Sequence, residues 1–273
     1  MVIIMNKKEM KIQLKLEKRN LKSIKKNNKA EYKKIKKINK FIKKNNKKLV
    51  KVKRPIAEPP KRTLMEELGS SITHGLGAIL AIVGLVLLIN RSETPTMVVA
   101  AVIYMSAMFL MLLNSCLYHS WKWGMTVKRI WRRFDYTSIY LQIAGTFAPI
   151  QLIVLERVYG NTGQIIGLIY FILLWITFIT GITLTCIFGP ERVRKVNFTL
   201  YFVGGWSALL MVPAMIHYSI YFTLWIFIGG VVYSLGMIPF GIFRKKSGAH
   251  FLWHLFVLAG VIIHYLAILI YIY

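Results

Sequence analysis

Residues 164–188 read QIIGLIYFILLWITFITGITLTCIF, 25 residues without one charged side chain. A run of that length exceeds the roughly 20 apolar residues needed to cross the hydrocarbon core of a bilayer. It is apolar on every face, which fits neither an amphipathic surface helix nor the alternating strand of a membrane barrel. A helix satisfies all of its own backbone groups, as hydrocarbon demands. Six further runs of this kind lie at roughly 70–89, 97–118, 135–155, 197–217, 221–243 and 250–272. The expected fold is therefore all-α, a polytopic membrane protein with seven transmembrane helices.

Charge orients those spans. Residues 1–62 hold 24 of the 37 Lys and Arg, against four Glu. The connector after the second span adds Lys122, Lys128, Arg129, Arg132 and Arg133. The connector after the fourth adds Arg192, Arg194 and Lys195, and the one after the sixth Arg244, Lys245 and Lys246. Arg91 and Arg157 alone fall on the other side. Lys/Arg-rich connectors stay in the cytoplasm. The N-terminus is thus expected in the cytoplasm, the C-terminus outside, and the protein in the plasma membrane as a multi-pass chain. With no cleavable signal peptide in view, the first span serves as its own insertion signal.

Two regions follow from the same distribution. Residues 1–62 form a basic, low-complexity cytoplasmic region, either disordered or lying on the membrane surface, and residues 63–273 the transmembrane domain. Within the basic region Tyr32, Ile35, Ile38, Phe41 and Ile42 recur at helical spacing. That short apolar face among lysines suits anionic inner-leaflet lipids. Nucleic acid is not an expected partner, since no nucleic-acid-binding fold accompanies the charge. Cys116 and Cys186 lie in apolar runs and read as packing thiols with no disulfide framework. Pro149, Pro213 and Pro239 are expected to bend their helices, and Gly204, Gly205, Gly229, Gly230 and Gly236 to allow close helix contact.

Ionisable groups inside spans are costly and default to functional candidates. Placed on the oriented spans, they gather at one level. Glu66, Glu67 and His74 lie at the cytoplasmic end of the first span, His119 ends the second, Asp135 begins the third, and His250 and His254 open the seventh. His250 and His254 are four residues apart and share a helix face, a two-point chelate of the kind that binds Zn²⁺. His119 supplies a third nitrogen from another helix, with Ser115 one turn before it. Three protein ligands and one open position is the catalytic zinc pattern. Zinc lowers the pKa of a bound water to about 7, and a neighbouring carboxylate, here Asp135, orients that water and takes its proton. Blander readings stand beside these. His119 also reads as a solvated interfacial ring, Asp135 as a partner of Arg132 or Arg133 at a helix N-terminus, and Ser115 as bonded back to its own helix. Glu67 and His74 are expected behind the ligands or in helix packing, His264 as a buried interhelical hydrogen-bonder, and His217 at the interface.

Five segments carry a family resemblance: EELGSSITHGLGA at 66–78, SCLYHSW at 115–121, RRFDYTSIYLQIAGTFAP at 132–149, GGVVYSLGMIPF at 229–240 and HFLWHLFVLAGVIIHYLA at 250–267. In this order they resemble the hemolysin III family, the bacterial branch of the progestin and adipoQ receptors, within a wider group of membrane hydrolases that includes alkaline ceramidases. The resemblance implies a seven-helix bundle with zinc near the cytoplasmic face, held by His119, His250 and His254. Asp135 would contact the zinc-bound water, with Ser115 close by. Ser70 is one departure, since family members often carry Asn there. The expected function is an integral membrane, zinc-dependent hydrolase of an amide or ester bond in a lipid-like substrate. Two rivals are a receptor or regulator with a structural zinc, and a hemolysin or channel as the family name suggests. A channel calls for a polar path, and the outer halves of the spans hold almost no polar side chains.

Overall fold

A computed structural model of the chain describes residues 58–243 and 246–273, together with 15–16, 29, 31, 33–38, 40 and 41. The chain divides into two units, Met1–Ile56 and Ala57–Tyr273, and the second carries every candidate site residue. Tyr32 and Ile42 of the apolar face in the basic region, and Arg244 and Lys245 of the last connector, lie outside the described residues.

The second unit is helical, with no strand among its described residues. Helix α1, Leu64–Asn90, starts at a reciprocal cap. The Glu66 amide donates to Thr63 Oγ1 at 3.3 Å, and the Thr63 amide donates to Glu66 Oε2 at 3.0 Å. Helix α2, Pro95–Ser120, begins with a proline where no N–H is needed, and Thr94 Oγ1 accepts from the Met97 amide. Helix α3, Thr126–Pro149, runs into a π-helical turn, Ile150–Val154, and then α4, Leu155–Phe188. Pro149 provides no N–H to the carbonyl one turn back, and the widened turn takes up that misfit.

The third expected span is longer at its start than the hydropathy suggested. It begins at Thr126, so Asp135 sits in the third turn of α3 instead of opening the helix. The charged stretch KRIWRR is helical because Lys128 and Arg132 are buried against neighbouring elements and paired there, which hydropathy does not register.

Six helical stretches among the described residues are long and apolar enough to cross a membrane. One of them, Thr126–Phe188, has 63 residues. As a straight helix it would be about 95 Å long, three times the hydrocarbon thickness of about 30 Å. It is not straight. Gly160 takes φ 58°, ψ −139°, a conformation that glycine alone adopts readily. A Cβ placed on Gly163 would lie 1.8 Å from the Leu155 carbonyl oxygen, and one on Gly167 1.8 Å from that of Gln151. The chain therefore folds back at Gly160, and the two arms touch backbone to backbone.

Helix α5, Arg194–Trp206, continues through a 3₁₀ turn, Ser207–Met211, into α6, Val212–Tyr218. Pro213 sits in the first turn of α6, so the bend falls just before it. Helix α7 spans Ile220–Gly241 and α8 Ala249–Tyr271. Helix α1 packs against α2, α2 against α3, and α8 against both α7 and α1, which closes the bundle. Its interior mixes small, flexible and aromatic side chains: Ala100, Ala101, Tyr104, Met105 and Leu112 are buried. Its exterior shows Leu80, Ile169, Leu173, Ile176 and Phe227. A protein surrounded by water does not expose apolar area on that scale; one surrounded by lipid does. This is a multi-pass membrane protein.

Gly229 packs on His264, Gly236 on Phe256 and Gly204 on Phe178, as close helix contact requires. Gly205 and Gly230 meet no neighbour and line a cavity instead.

Candidate metal centre

At the end of the bundle formed by the start of α1, the end of α2 and the start of α8, polar side chains are buried together. His250 and His254 point inward from one face of α8, with their Nε2 atoms 2.9 Å apart. His119, in the last turn of α2, brings its Nε2 to 3.2 Å from that of His250. The His119 and His254 ring centroids are 4.7 Å apart. One ligand atom from each of the three lies within 4.8 Å of the others, and all three side chains are buried. His217 is exposed at the other end of the bundle.

The donor set fits a divalent transition ion. Glu67 Oε2 lies 2.6 Å from His119 Nδ1. A carboxylate accepts, so Nδ1 carries the proton and Nε2 presents a lone pair toward the other two rings. One N–H on His250 cannot serve both of its close nitrogen contacts well, whereas one cation serves all three lone pairs. Tetrahedral Zn–N bonds of about 2.1 Å separate ligand nitrogens by about 3.4 Å, near the contacts seen. A carboxylate on the far nitrogen is also how metal-binding imidazoles are commonly held. The three-histidine group can hold a metal ion.

Around it, Asp135 is buried beside Ser115. Ser115 Oγ is 3.5 Å from His254 Nδ1, so it faces the cluster and not only its own helix. Asp135 carries no ion pair to Arg132; that guanidinium is taken by Glu191. His74 packs behind His254, with ring centroids 4.3 Å apart and its Nε2 3.1 Å from His254 Nδ1. His264 sits away from the cluster and donates from Nε2 to the Ile226 carbonyl at 3.0 Å, tying α8 to α7.

Residues 62–265 match the family described as Haemolysin-III related. The chain belongs to the hemolysin III family. It is 34% identical over 211 residues to Hemolysin-3 of Bacillus cereus, covering 76% of this chain and 92% of that one. It is 33% identical over 215 residues to the Hemolysin-3 homolog of Bacillus subtilis strain 168, 77% of this chain and 95% of the relative. Likeness extends to the human Monocyte to macrophage differentiation factor, 29% identical over 222 residues, 78% of this chain and 87% of that protein.

Three features of this hemolysin III site escaped the sequence reading. Lys128, counted as a connector charge, is fully buried. Its Nζ bonds Glu67 Oε1 at 2.9 Å and donates to the carbonyls of Tyr118 and Trp121. No local pattern marks a buried lysine. Glu66, beyond its cap, accepts from the Gly248 amide at 2.6 Å and so holds the start of α8. The T-x-x-E spacing of Thr63 and Glu66 signals the cap, but not the contact across helices. Finally, Arg62 Nη1 and the Tyr118 hydroxyl are buried beside the site without a hydrogen-bond partner.

Near this region a cavity of about 400 Å³ lies between α3, α5, α6, α7 and α8. Phe240 and Trp253 line it, with ring centroids 4.8 Å apart, and Phe240 is 6.4 Å from the His250 ring. Its walls are almost wholly apolar.

Proposed function

We propose that this hemolysin III protein is a zinc-dependent hydrolase of an amide or ester bond in a lipid-like substrate. It spans the plasma membrane seven times, with its metal centre toward the cytoplasm. The observation that carries the reading is the meeting of His119, His250 and His254 with Glu67 behind them and Asp135 and Ser115 at their side. The fold-back at Gly160 supports counting Thr126–Phe188 as two crossings, hence seven. The basic connectors and residues 1–62 set the cytoplasmic side, where the anionic inner leaflet attracts them.

In this reading His119, His250 and His254 hold Zn²⁺. When bound, the ion supplies a Lewis-acid centre that activates water for attack on a carbonyl. Glu67 fixes the tautomer and orientation of His119, and Lys128 fixes Glu67. Asp135 orients the attacking water and accepts its proton, while Ser115 holds the Asp135 carboxyl toward the cluster. His74 packs against His254 and limits its rotation. An apolar chain lies in the cavity past Phe240, which brings a scissile group at its polar end to the histidines.

A structural metal favours a closed set of four protein ligands. Among the described residues the group contains three, which supports a reactive centre over a purely structural one. The apolar cavity walls speak against a water-filled path. The test is hydrolysis of ceramide-type amides and lipid esters by purified protein, with His250→Ala as control. Turnover in the wild type that vanishes in the variant is the expected result; turnover untouched by the substitution refutes the mechanism.

A further inference from the structure

We infer that Gln142, Tyr233 and His264 form a recognition site for a neutral hydroxyl group carried on a lipid chain inside the bundle.

The cavity wall is mostly apolar; of the polar side chains that line it, Thr146, Tyr201, Trp206, Thr223 and Ser234 already have partners, whereas Gln142, Tyr233 and His264 each keep an unpaired atom. Gln142 reaches in from α3, Tyr233 from α7 and His264 from α8, and all three line it. Gln142 Oε1, the Tyr233 hydroxyl and His264 Nδ1 are each buried without a hydrogen-bond partner. Polar atoms shut away from water are normally paired, because leaving one unmade costs the full desolvation of that group. Three around one apolar chamber are a specific feature. They are also close: the Tyr233 and His264 ring centroids are 5.4 Å apart, and Tyr233 lies beside the Gln142 side chain.

Neighbouring bonds fix what each atom offers. Thr146 Oγ1 donates its one proton to the Gln142 backbone carbonyl at 2.8 Å. Its contact with the Gln142 side chain, at 3.1 Å, must therefore receive an N–H. That leaves Gln142 Oε1 as the free end, an acceptor. His264 Nε2 is 3.0 Å from the Ile226 carbonyl, which only accepts, so the proton is on Nε2 and Nδ1 of the neutral ring is an acceptor. Tyr233 contributes one proton and lone pairs. The set thus holds two acceptors and a single proton to share between them. Whichever acceptor Tyr233 serves, the other lacks a donor. A group with one proton and a lone pair closes the count, and a hydroxyl is such a group.

Charge narrows the ligand further. No Asp, Glu, Lys or Arg lines the cavity, so a carboxylate or phosphate here would be an unpaired buried charge. A neutral alcohol carries no such cost. Its carrier is a lipid chain because the remaining wall is apolar and the protein lies in a bilayer. His264 is ten residues beyond His254 on α8, about 15 Å along the helix axis. The hydroxyl therefore lies mid-chain, well away from the polar end beside the histidines. Gly229 accommodates the device: a Cβ there would come 2.2 Å from His264 Cδ2. This site deepens the hydrolase reading by naming a chain feature of the substrate, but binding at it does not need the metal.

The experiment is equilibrium binding of radiolabelled methyl 12-hydroxyoctadecanoate and methyl octadecanoate to the full chain in nanodiscs. It is run on the wild type and on His250→Ala, where turnover is absent on the present reading. Two neutral hydrogen bonds predict about a tenfold preference for the hydroxylated probe. Tyr233→Phe should shrink that preference to about threefold, with binding of the plain ester unchanged. Gln142→Met serves as the second variant if Tyr233→Phe does not fold, and carries the same expectation. Equal binding of the two probes by wild type, or a preference that survives both substitutions, overturns the proposal. So does a ligand-soaked structure with only ordered water at the three atoms. A preference retained in His250→Ala together with no hydrolysis by any form leaves this site standing while the hydrolase reading falls. Hydrolysis without the preference does the reverse.

Discussion

Glu67 offers the most discriminating perturbation, because its two oxygens serve different masters. Oε2 holds His119 Nδ1 at 2.6 Å and Oε1 holds the buried Lys128 ammonium at 2.9 Å. In Glu67→Gln the lysine keeps a neutral acceptor, but His119 loses the carboxylate that sets its tautomer. Loss of such a partner costs about 10–100-fold in metal affinity, or about 1.4–2.8 kcal/mol. In Glu67→Leu the lysine is also stranded. A broken buried pair costs about 3–5 kcal/mol, reduced here to about 2–3 kcal/mol because Lys128 keeps the Tyr118 and Trp121 carbonyls. Adding Lys128→Met to Glu67→Leu removes both charges, so most of that stability should return. The zinc affinity should not. Zinc content is read after dialysis against chelators of graded affinity, and stability by thermal unfolding in detergent. If Glu67→Gln binds zinc like the wild type while His119→Ala does not, the carboxylate is not supporting the ligand. If Glu67→Leu melts like the wild type, Lys128 does not depend on it.

Asp135→Asn should keep its zinc and lose lipid hydrolysis by about 10²–10⁴-fold, the usual worth of a positioned proton acceptor; loss of zinc instead would make Asp135 a ligand. Gly167→Leu should fail to accumulate in the membrane, since its side chain meets the Gln151 carbonyl, and normal yield would contradict the packed hairpin at Gly160. With Cys116 and Cys186 replaced by Ala, a cysteine at Asn161 should react only with thiol reagents added outside and one at Ser247 only with those added inside. Labelling of both from one side would refute seven crossings.

How much of the molecule was legible in the sequence depends on which force fixed each feature. Spans were legible because hydrocarbon imposes one length and one composition on every helix that crosses it. The start of α3 was not, since Lys128, Arg129, Arg132 and Arg133 lower its hydropathy while packing and ion pairs make it helical. His250 and His254 were legible as a pair through helical spacing alone. Their meeting with His119 needed the orientation of the spans to put three rings at one level. Gly205 and Gly230 were misread as contact glycines, because a glycine that fits a neighbour and one that opens a cavity look alike in sequence. Lys128 was counted only as a connector charge for the same kind of reason: positive charges near span ends usually face water, and only its partners in space show otherwise.

The helix that contributes no ligand does most to assemble the centre. Adjacent glutamates on α1 reach three other elements. Glu67 holds α2 through His119 and α3 through Lys128, while Glu66 holds the start of α8 through the Gly248 amide. That amide is one of the unpaired N–H groups every helix start leaves, and it lies two residues before His250. A carboxylate there satisfies the amide and favours the helix dipole. Glu66 is therefore both cap of its own helix and anchor of another, and the two roles separate by mutation. Thr63→Ala removes the side-chain cap of α1 at about 1 kcal/mol and leaves the bond to Gly248, so zinc affinity should hold. Glu66→Ala loses both, so a similar drop in stability should come with weaker zinc binding as the first turn of α8 frays. Equal zinc affinity in the two variants would mean that the register of His250 is set elsewhere.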